Sequence, residues 1–404
     1  MVRVTVFTAR EMLESQVSRT TSIVYSCVFA AWSVGMLFLL FSSGELHDYI
    51  EYVNTWQHIQ GGGNPWQAEG IATNAYGPLH SILGVATAAG ALMPKLLFGL
   101  GFLAVSATFL VLILRSQPKV KVLLAYTVLV PLNYLVIGLV FVFGNNDGLV
   151  AALIGFAVLA RIRGHLTTAG LLLGMAILFK YYPALLLPFL ALDVRRIKWT
   201  VVIASSVTVF LGVFVTYVAW GGSFLSALLF GAGRGATILS VLAHLAHLGA
   251  PDSFMLPALR YNSIVVAAVV GGLFLLAWWR RFGWLESMTL GMLAVVTTYK
   301  VGHPQFLIPW IVLLVGLLYV RTGVQWRIVT LSIPLVVLIS TYQVIFERYW
   351  LAGVFWEDTA SIIRDQVGIP FFMVSGATVL LGVRVMWRGE SLGTVARESD
   401  LSRR

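Results

Sequence analysis

Long apolar runs recur along this chain, separated by short polar joints. Run length marks candidate spans at 22–43, 95–114, 122–142, 148–160, 166–179, 183–193, 199–219, 262–279, 284–300, 304–320, 327–345 and 369–387. A helical crossing needs roughly 20 apolar residues, so the segments between 148 and 193 are expected to be short, tilted or re-entrant. The stretch 79–93, closed by Pro94, reads as a partial or interfacial helix leading into the next span. The predicted fold class is all-α: a polytopic membrane protein of about twelve transmembrane helices, short and re-entrant ones included. Its extracytoplasmic loops are expected to form the active site. Residues 1–386 read as one integral-membrane domain and 387–404 as a polar cytoplasmic tail. Residues 1–21 are polar and the apolar run after them is long enough to span, which argues against a cleavable signal.

One polar insert breaks the pattern. Residues 47–79, HDYIEYVNTWQHIQGGGNPWQAEGIATNAYGPL, gather Asp48, Glu51, Glu69, several aromatic residues and a Gly-Gly-Gly-Asn-Pro turn. The spacing of Tyr49, Tyr52, Val53, Trp56 and Ile59 predicts a short amphipathic helix, with its aromatic residues at headgroup level. The run Gly61–Gly63 should stop it, and Asn64-Pro65 should turn the chain. The long apolar loop 220–261 is expected in the outer interface, covering lipid chains.

Only 11% of the 404 residues are charged and 59% are hydrophobic, against about 25% charged in a soluble domain. The net charge of +10 does not make a nucleic-acid binder, because the basic residues sit in clusters between spans. Arg3, Arg10 and Arg19; Arg115, Lys119 and Lys121; Arg161 and Arg163; Arg195, Arg196 and Lys198; Arg280 and Arg281; and Arg321 and Arg327 all fall on one side. The positive-inside rule makes that side cytoplasmic, with both termini. A multi-pass protein of the cell membrane is the expected localisation. Cys27 is the one cysteine, so no internal disulfide forms. There is no Asn-x-Ser/Thr sequon, no Walker A sequence, no dinucleotide-binding glycine fingerprint and no serine elbow.

Several polar residues then stand out on the outer side. Asp48 has the character of a general base, set against a plain solvated carboxylate; Glu51 is expected to face water. Lys180 interrupts AGLLLGMAILFKYYPALLLPFL, where an ionisable group is costly, beside Tyr182. It suits a lipid phosphate, set against snorkelling to the interface. Asn145, Asn146 and Asp147 form a polar turn suited to sugar hydroxyls or to a helix cap. Lys300 is a possible second phosphate contact, His303 a cap or orienting group, and Arg234, Arg260, Arg348 and Arg364 further unranked outer cations. His244 and His247 lack a third ligand nearby, so no metal site is expected.

The pieces D-Y-x-x-Y from Asp48, G-G-N-P-W, A-Y-G-P-L around Tyr76, VPLNYLVIGLVFVFGNNDG, AGLLLGMAILFKYYPALLLP and GHPQFLIPW occur in one order. In that order the chain resembles the membrane-embedded C-type glycosyltransferases, in particular the polyprenol-phosphate-mannose-dependent mannosyltransferases. The resemblance covers residues 44 to about 192 well and the remainder loosely. It implies a polyprenyl-phosphate hexose donor, most naturally mannose, and a lipid-linked or glycan acceptor hydroxyl. It implies Asp48 as base and Lys180 on the donor phosphate, with inversion at the anomeric centre. No cofactor is implied, and a divalent metal is doubtful: Leu46 stands where some relatives carry a paired aspartate. The partners are then the donor, the acceptor and membrane lipid, with no nucleic acid. A lipid-linked glycan flippase, or a glycan ligase or polymerase, is the alternative reading.

Overall fold

The computed structural model describes residues 9–46, 48–67, 75–227, 233–320, 323–354 and 367–388. Among these, seven helices are long and apolar enough to cross a bilayer: Arg19–Ser42, Met93–Arg115, Val120–Val142, Trp199–Ala227, Asn262–Arg280, Gly323–Tyr349 and Gly368–Trp387. Each coincides with an expected span. The other five apolar segments form shorter helices, and not only between 148 and 193: the two around 284–320 are short as well.

The helices in chain order are α1 (Ala9–Glu14), α2 (Arg19–Ser42), α3 (Asp48–Gln60), α4 (Pro78–Leu83), α5 (Met93–Arg115), α6 (Val120–Leu129), α7 (Tyr134–Val136), α8 (Asp147–Ile162), α9 (Leu166–Phe179), α10 (Leu187–Ala191) and α11 (Trp199–Trp220). Then come α12 (Val241–His247), α13 (Asp252–Arg260), α14 (Asn262–Arg280), α15 (Trp284–Thr298), α16 (Leu307–Val320), α17 (Gly323–Leu351) and α18 (Gly368–Trp387). The short helices α8, α15 and α16 are buried over nearly their whole length, whereas α2, α11 and α14 show most of their surface outward. Their length follows from this placement: a helix wrapped in protein need not match the lipid thickness.

Glycines set the closest approaches. A Cβ at Gly155 of α8 would meet Val105 of α5 and Val312 of α16, so α8 is wedged between those helices. Gly170 and Gly174, four apart on α9, lie against the backbone of α11 at Val201 and Ser205. Such small-residue pairs let membrane helices pack by dispersion, where lipid offers no hydrophobic drive.

The two ends of the bundle differ. At one end Lys119 and Lys121 pair with Glu14 at 2.6 and 2.5 Å, and Lys121 lies over the Trp326 ring. Arg195 donates to the Trp279 carbonyl and Arg280 stacks on Trp387. Arg161 donates to the carbonyls of Leu190 and Leu192 and lies over Trp284. The basic clusters are thus gathered onto one end by their own contacts. Arg321 and the tail from 389 lie outside the described residues.

At the opposite end lie α3, α4, α12, α13 and the loops between spans. Helix α3 forms where the apolar spacing predicts it, and Gly62, with φ +85°, closes it. Its aromatic face is turned into the protein, however. Tyr49, Tyr52 and Trp56 are sealed inside, their rings packed edge to face or tilted against one another, with Tyr52 and Trp56 also against His80 of α4. Hydrogen bonds explain the difference: Trp56 donates to the His80 carbonyl and Tyr49 to the Ala91 carbonyl, so each polar tip has a protein partner rather than a headgroup.

Candidate active site

A cavity of about 350 Å³ opens at the end opposite the basic clusters. Its polar and aromatic wall is made by Tyr76, Lys180, Tyr181, Tyr182, Arg234, Tyr299, Gln305 and Phe306, and its aliphatic wall includes Leu185, Val266 and Val295.

Lys180 reaches this wall through a broken helix. Pro183 disfavours helix before it; α9 ends at Phe179, Lys180 is extended (φ −142°, ψ 141°), and a 3-10 turn, Tyr182–Leu186, follows. The ammonium is then held at 2.5 Å from Asp147 Oδ2, 5.0 Å from the Tyr76 ring centre and 5.7 Å from that of Phe306. Tyr182 donates its hydroxyl to the other Asp147 oxygen at 3.0 Å. Lys180 therefore does not snorkel: it is buried and paired.

Tyr76 is seated by the residues after it. The Gly77 amide donates to the Phe179 carbonyl at 2.9 Å, and a Cβ on Gly77 would run into the Leu178 carbonyl. Only glycine lets the loop lie so close to the end of α9. Pro78 then occupies the first turn of α4, where its missing amide hydrogen is no loss. The A-Y-G-P-L string is a device for placing the Tyr76 ring against Lys180. The Tyr76 hydroxyl donates to that of Tyr52 at 3.1 Å.

Asp48 opens α3 and is half-buried. It is not a wall residue of the cavity, but it lies nearby. Burial first, and the Asp48 charge next, push the Tyr76 phenol above its ordinary value, and Asp147 adds to the effect. The two carboxylates therefore act on the same ring. Glu51 is exposed, as expected.

The asparagine turn stands behind the wall. Asn145 donates to Gln305 Oε1 at 2.7 Å, fixing a wall residue. Asn146 is buried with both amide atoms unpartnered, and Asp147 is buried beneath Lys180. Asn145 thus supports Gln305, and Asp147 supports Lys180 and Tyr182. Lys300 is buried beside the wall. Its ammonium donates to the Leu259 carbonyl at 3.2 Å and its amide to Asn262, so it is turned from the wall formed by its neighbours Tyr299 and Val301. His303 precedes a 3-10 turn and packs near Phe306, outside the wall.

Of the outer arginines, Arg234 lines the cavity. It is held there by a two-residue parallel bridge between β3 (Thr237–Ile238) and β4 (Val301–Gly302). A Cβ on Gly302 would strike the backbone of Leu239 and Ser240. Arg260 and Arg348 are exposed, and Arg364 lies outside the described residues. His244 Nδ1 accepts from the Ile369 amide at 3.2 Å, a structural bond between α12 and α18. Among the described residues no three His, Cys, Asp or Glu side chains gather.

An all-α polytopic bundle with a cationic, aromatic-lined cavity at one end defines an integral-membrane protein with a polar site built between its helix ends. The model of glycosyltransferase family 87 matches residues 74–301, more than half of the chain, and the protein belongs to that family of integral-membrane glycosyltransferases. The matched region takes in Tyr76, Asp147, Lys180, Tyr182 and Arg234, and starts after Asp48. No curated protein matches the chain.

Proposed function

We propose that this glycosyltransferase moves a hexose, mannose by family resemblance, from a polyprenyl-phosphate donor to a lipid-linked or glycan hydroxyl on the extracytoplasmic face. The observation that carries this reading is the cavity itself. Lys180 and Arg234 place positive charge beside the rings of Tyr76, Tyr182, Tyr299 and Phe306, at the end away from the basic clusters. Aromatic faces suit the C–H surface of a sugar, and fixed cations suit a phosphate whose charge grows as it leaves.

The acceptor hydroxyl approaches from the α3 side. Its oxygen forms a bond to the anomeric carbon as the bond from that carbon to the phosphate oxygen breaks. Asp48 receives the hydroxyl proton, and the donor departs as polyprenyl phosphate, a monoester. Attack opposite the leaving group inverts the anomeric centre. Asp147 is less suited to the proton-accepting role, since both its oxygens already accept bonds from Lys180 and Tyr182. The basic end faces the cytoplasm by the positive-inside rule.

Transfer of radiolabelled mannose from a defined polyprenyl-phosphate donor in proteoliposomes tests the reading. Label should appear in acceptor with stoichiometric release of polyprenyl phosphate. Movement of intact donor between leaflets without bond cleavage would instead identify a flippase.

A further inference from the structure

We propose that Lys95 is a positioning residue for this transfer: it ties the segment that carries Asp48 to the segment that carries Asp147. The proposal rests on the assignment of those two carboxylates to the reaction, and it concerns a side chain that touches neither the cavity nor a ligand.

Lys95 is the third residue of α5 and has no exposed surface. A buried ammonium requires compensation. Here it comes from three oxygens: Ser43 Oγ at 2.8 Å, the Gly44 carbonyl at 2.7 Å and the Val142 carbonyl at 2.7 Å. Gly44 follows the last turn of α2, and Val142 ends a π-helical turn, Ile137–Val142. Carbonyls at such ends carry the negative pole of the helix. One cation thus closes two helix ends that converge from different parts of the chain.

Both closures lead directly to site residues. Asp48 stands four positions after Gly44, and Asp147 five positions after Val142. The clamp is reinforced on each side. Ser43 Oγ also donates to the carbonyls of Phe141 and Val142. The Lys95 amide donates to the Tyr49 hydroxyl at 3.1 Å, fixing the first turn of α3. Gly144, at φ +69°, has no room for a Cβ because the Lys95 stem fills that space. Three chain segments, at 43–49, 91–95 and 141–147, therefore meet on this single side chain. With Lys95 in place, Asp48 and Asp147 are both held where their charges act on Tyr76.

The test compares Lys95→Met, Lys95→Arg, Ser43→Ala and Asp48→Asn in detergent and in proteoliposomes. Hydrogen–deuterium exchange reads the clamp without reference to activity. In Lys95→Met, peptides spanning 43–49 and 141–147 should exchange faster together, with the middle of α5 unchanged. Turnover per donor-binding molecule should fall by about tenfold or more while the donor KM stays within about twofold, a loss confined to the transition state. Lys95→Arg, which keeps the charge, should recover part of the turnover. If Lys95→Met does not fold, Ser43→Ala, which removes one oxygen of the clamp, should show the same paired exchange change and a smaller turnover loss. Unchanged exchange in both segments overturns the clamp. Faster exchange with wild-type turnover overturns its role in transfer. An active Asp48→Asn beside a slow Lys95→Met would overturn the base assignment while leaving the clamp standing.

Discussion

Lys180 and Asp147 meet at 2.5 Å with side chains 6% and 0% exposed, thirty-three positions apart in the chain. The lysine that the sequence offers as a phosphate ligand already has a carboxylate partner. Its charge is balanced at rest, and in the proposed reaction a donor phosphate would share it with Asp147. Arg234, on the same wall, adds positive charge that the sequence alone could not rank.

The pair makes a stability prediction. Lys180→Met leaves a buried carboxylate without its cation, a change that costs roughly 3–5 kcal/mol. The double variant Lys180→Met with Asp147→Asn removes both charges and should be the more stable of the two. Thermal melts in detergent of the two singles and the double check this. A double variant no more stable than Lys180→Met would show that the ion pair is not what holds the end of α9. Lys180→Ala should also raise the donor KM and lower turnover.

Asp48→Asn should abolish transfer with expression and donor binding retained, because only proton acceptance is lost. Glu51→Gln should be close to wild type, since that carboxylate points to solvent. Initial rates at saturating donor distinguish them; equal damage from both would move the base.

Arg234→Ala should raise the donor KM by about tenfold, the scale of one charge-assisted hydrogen bond of about 1.5 kcal/mol. Arg260→Ala, exposed and lying against Tyr261, serves as the control. Donor titrations at fixed acceptor decide the matter: indistinguishable KM values for the two variants would remove Arg234 from the phosphate site.

His80 gives a pH signature. Burial, with Lys180 second, pulls its imidazole down to about 3 from an ordinary 6.5. The unfolded chain therefore binds a proton below pH 6.5 that the folded chain refuses until about pH 3. Stability is complete above pH 6.5 and declines as pH falls through that window. Neither ring nitrogen has a hydrogen-bond partner, so His80→Phe should match wild type at neutral pH and lose part of the acid slope. Melting midpoints of both proteins from pH 7 to 4 are the measurement; parallel curves would show that His80 does not titrate in this way.

Orientation is checked by labelling in a Cys27→Ser background. Ser253→Cys, at an exposed site on α13, should react with an impermeant maleimide in sealed cells, and Arg196→Cys should not. Gly62 is a poorer reporter, because φ +85° strains any side chain there. Reaction at position 196 in intact cells would reverse the topology.

Apolar run length was enough to recover the seven helices that, among the described residues, are long enough to cross a bilayer, because that signal is a count of consecutive residues. It also marked Asp48, Tyr76, Asp147, Lys180 and Tyr182, polar groups whose place beside apolar runs is itself unusual. Their grouping was not legible: the Lys180–Asp147 pair joins distant segments, and only a three-dimensional fold brings them together. The bond from the Lys300 ammonium to the Leu259 carbonyl was not legible for a related reason, since a lysine at a helix end reads the same whether it faces a cavity or a backbone carbonyl. Lys95 was overlooked as one more basic residue beside a span. Yet it stands at the end of its helix away from the basic clusters, an anomaly visible in the charge map.

The parallel bridge between Thr237–Ile238 and Val301–Gly302 gives Arg234 an address written in main chain. Amide and carbonyl groups make that ladder, so exchanges at 237 and 238 leave the arginine where it is. Adding or deleting one residue between 234 and 237 does not, because it shifts the chain at 234 by up to about 3.6 Å, the reach of one extended residue. Tolerance in this segment is therefore a matter of length before identity.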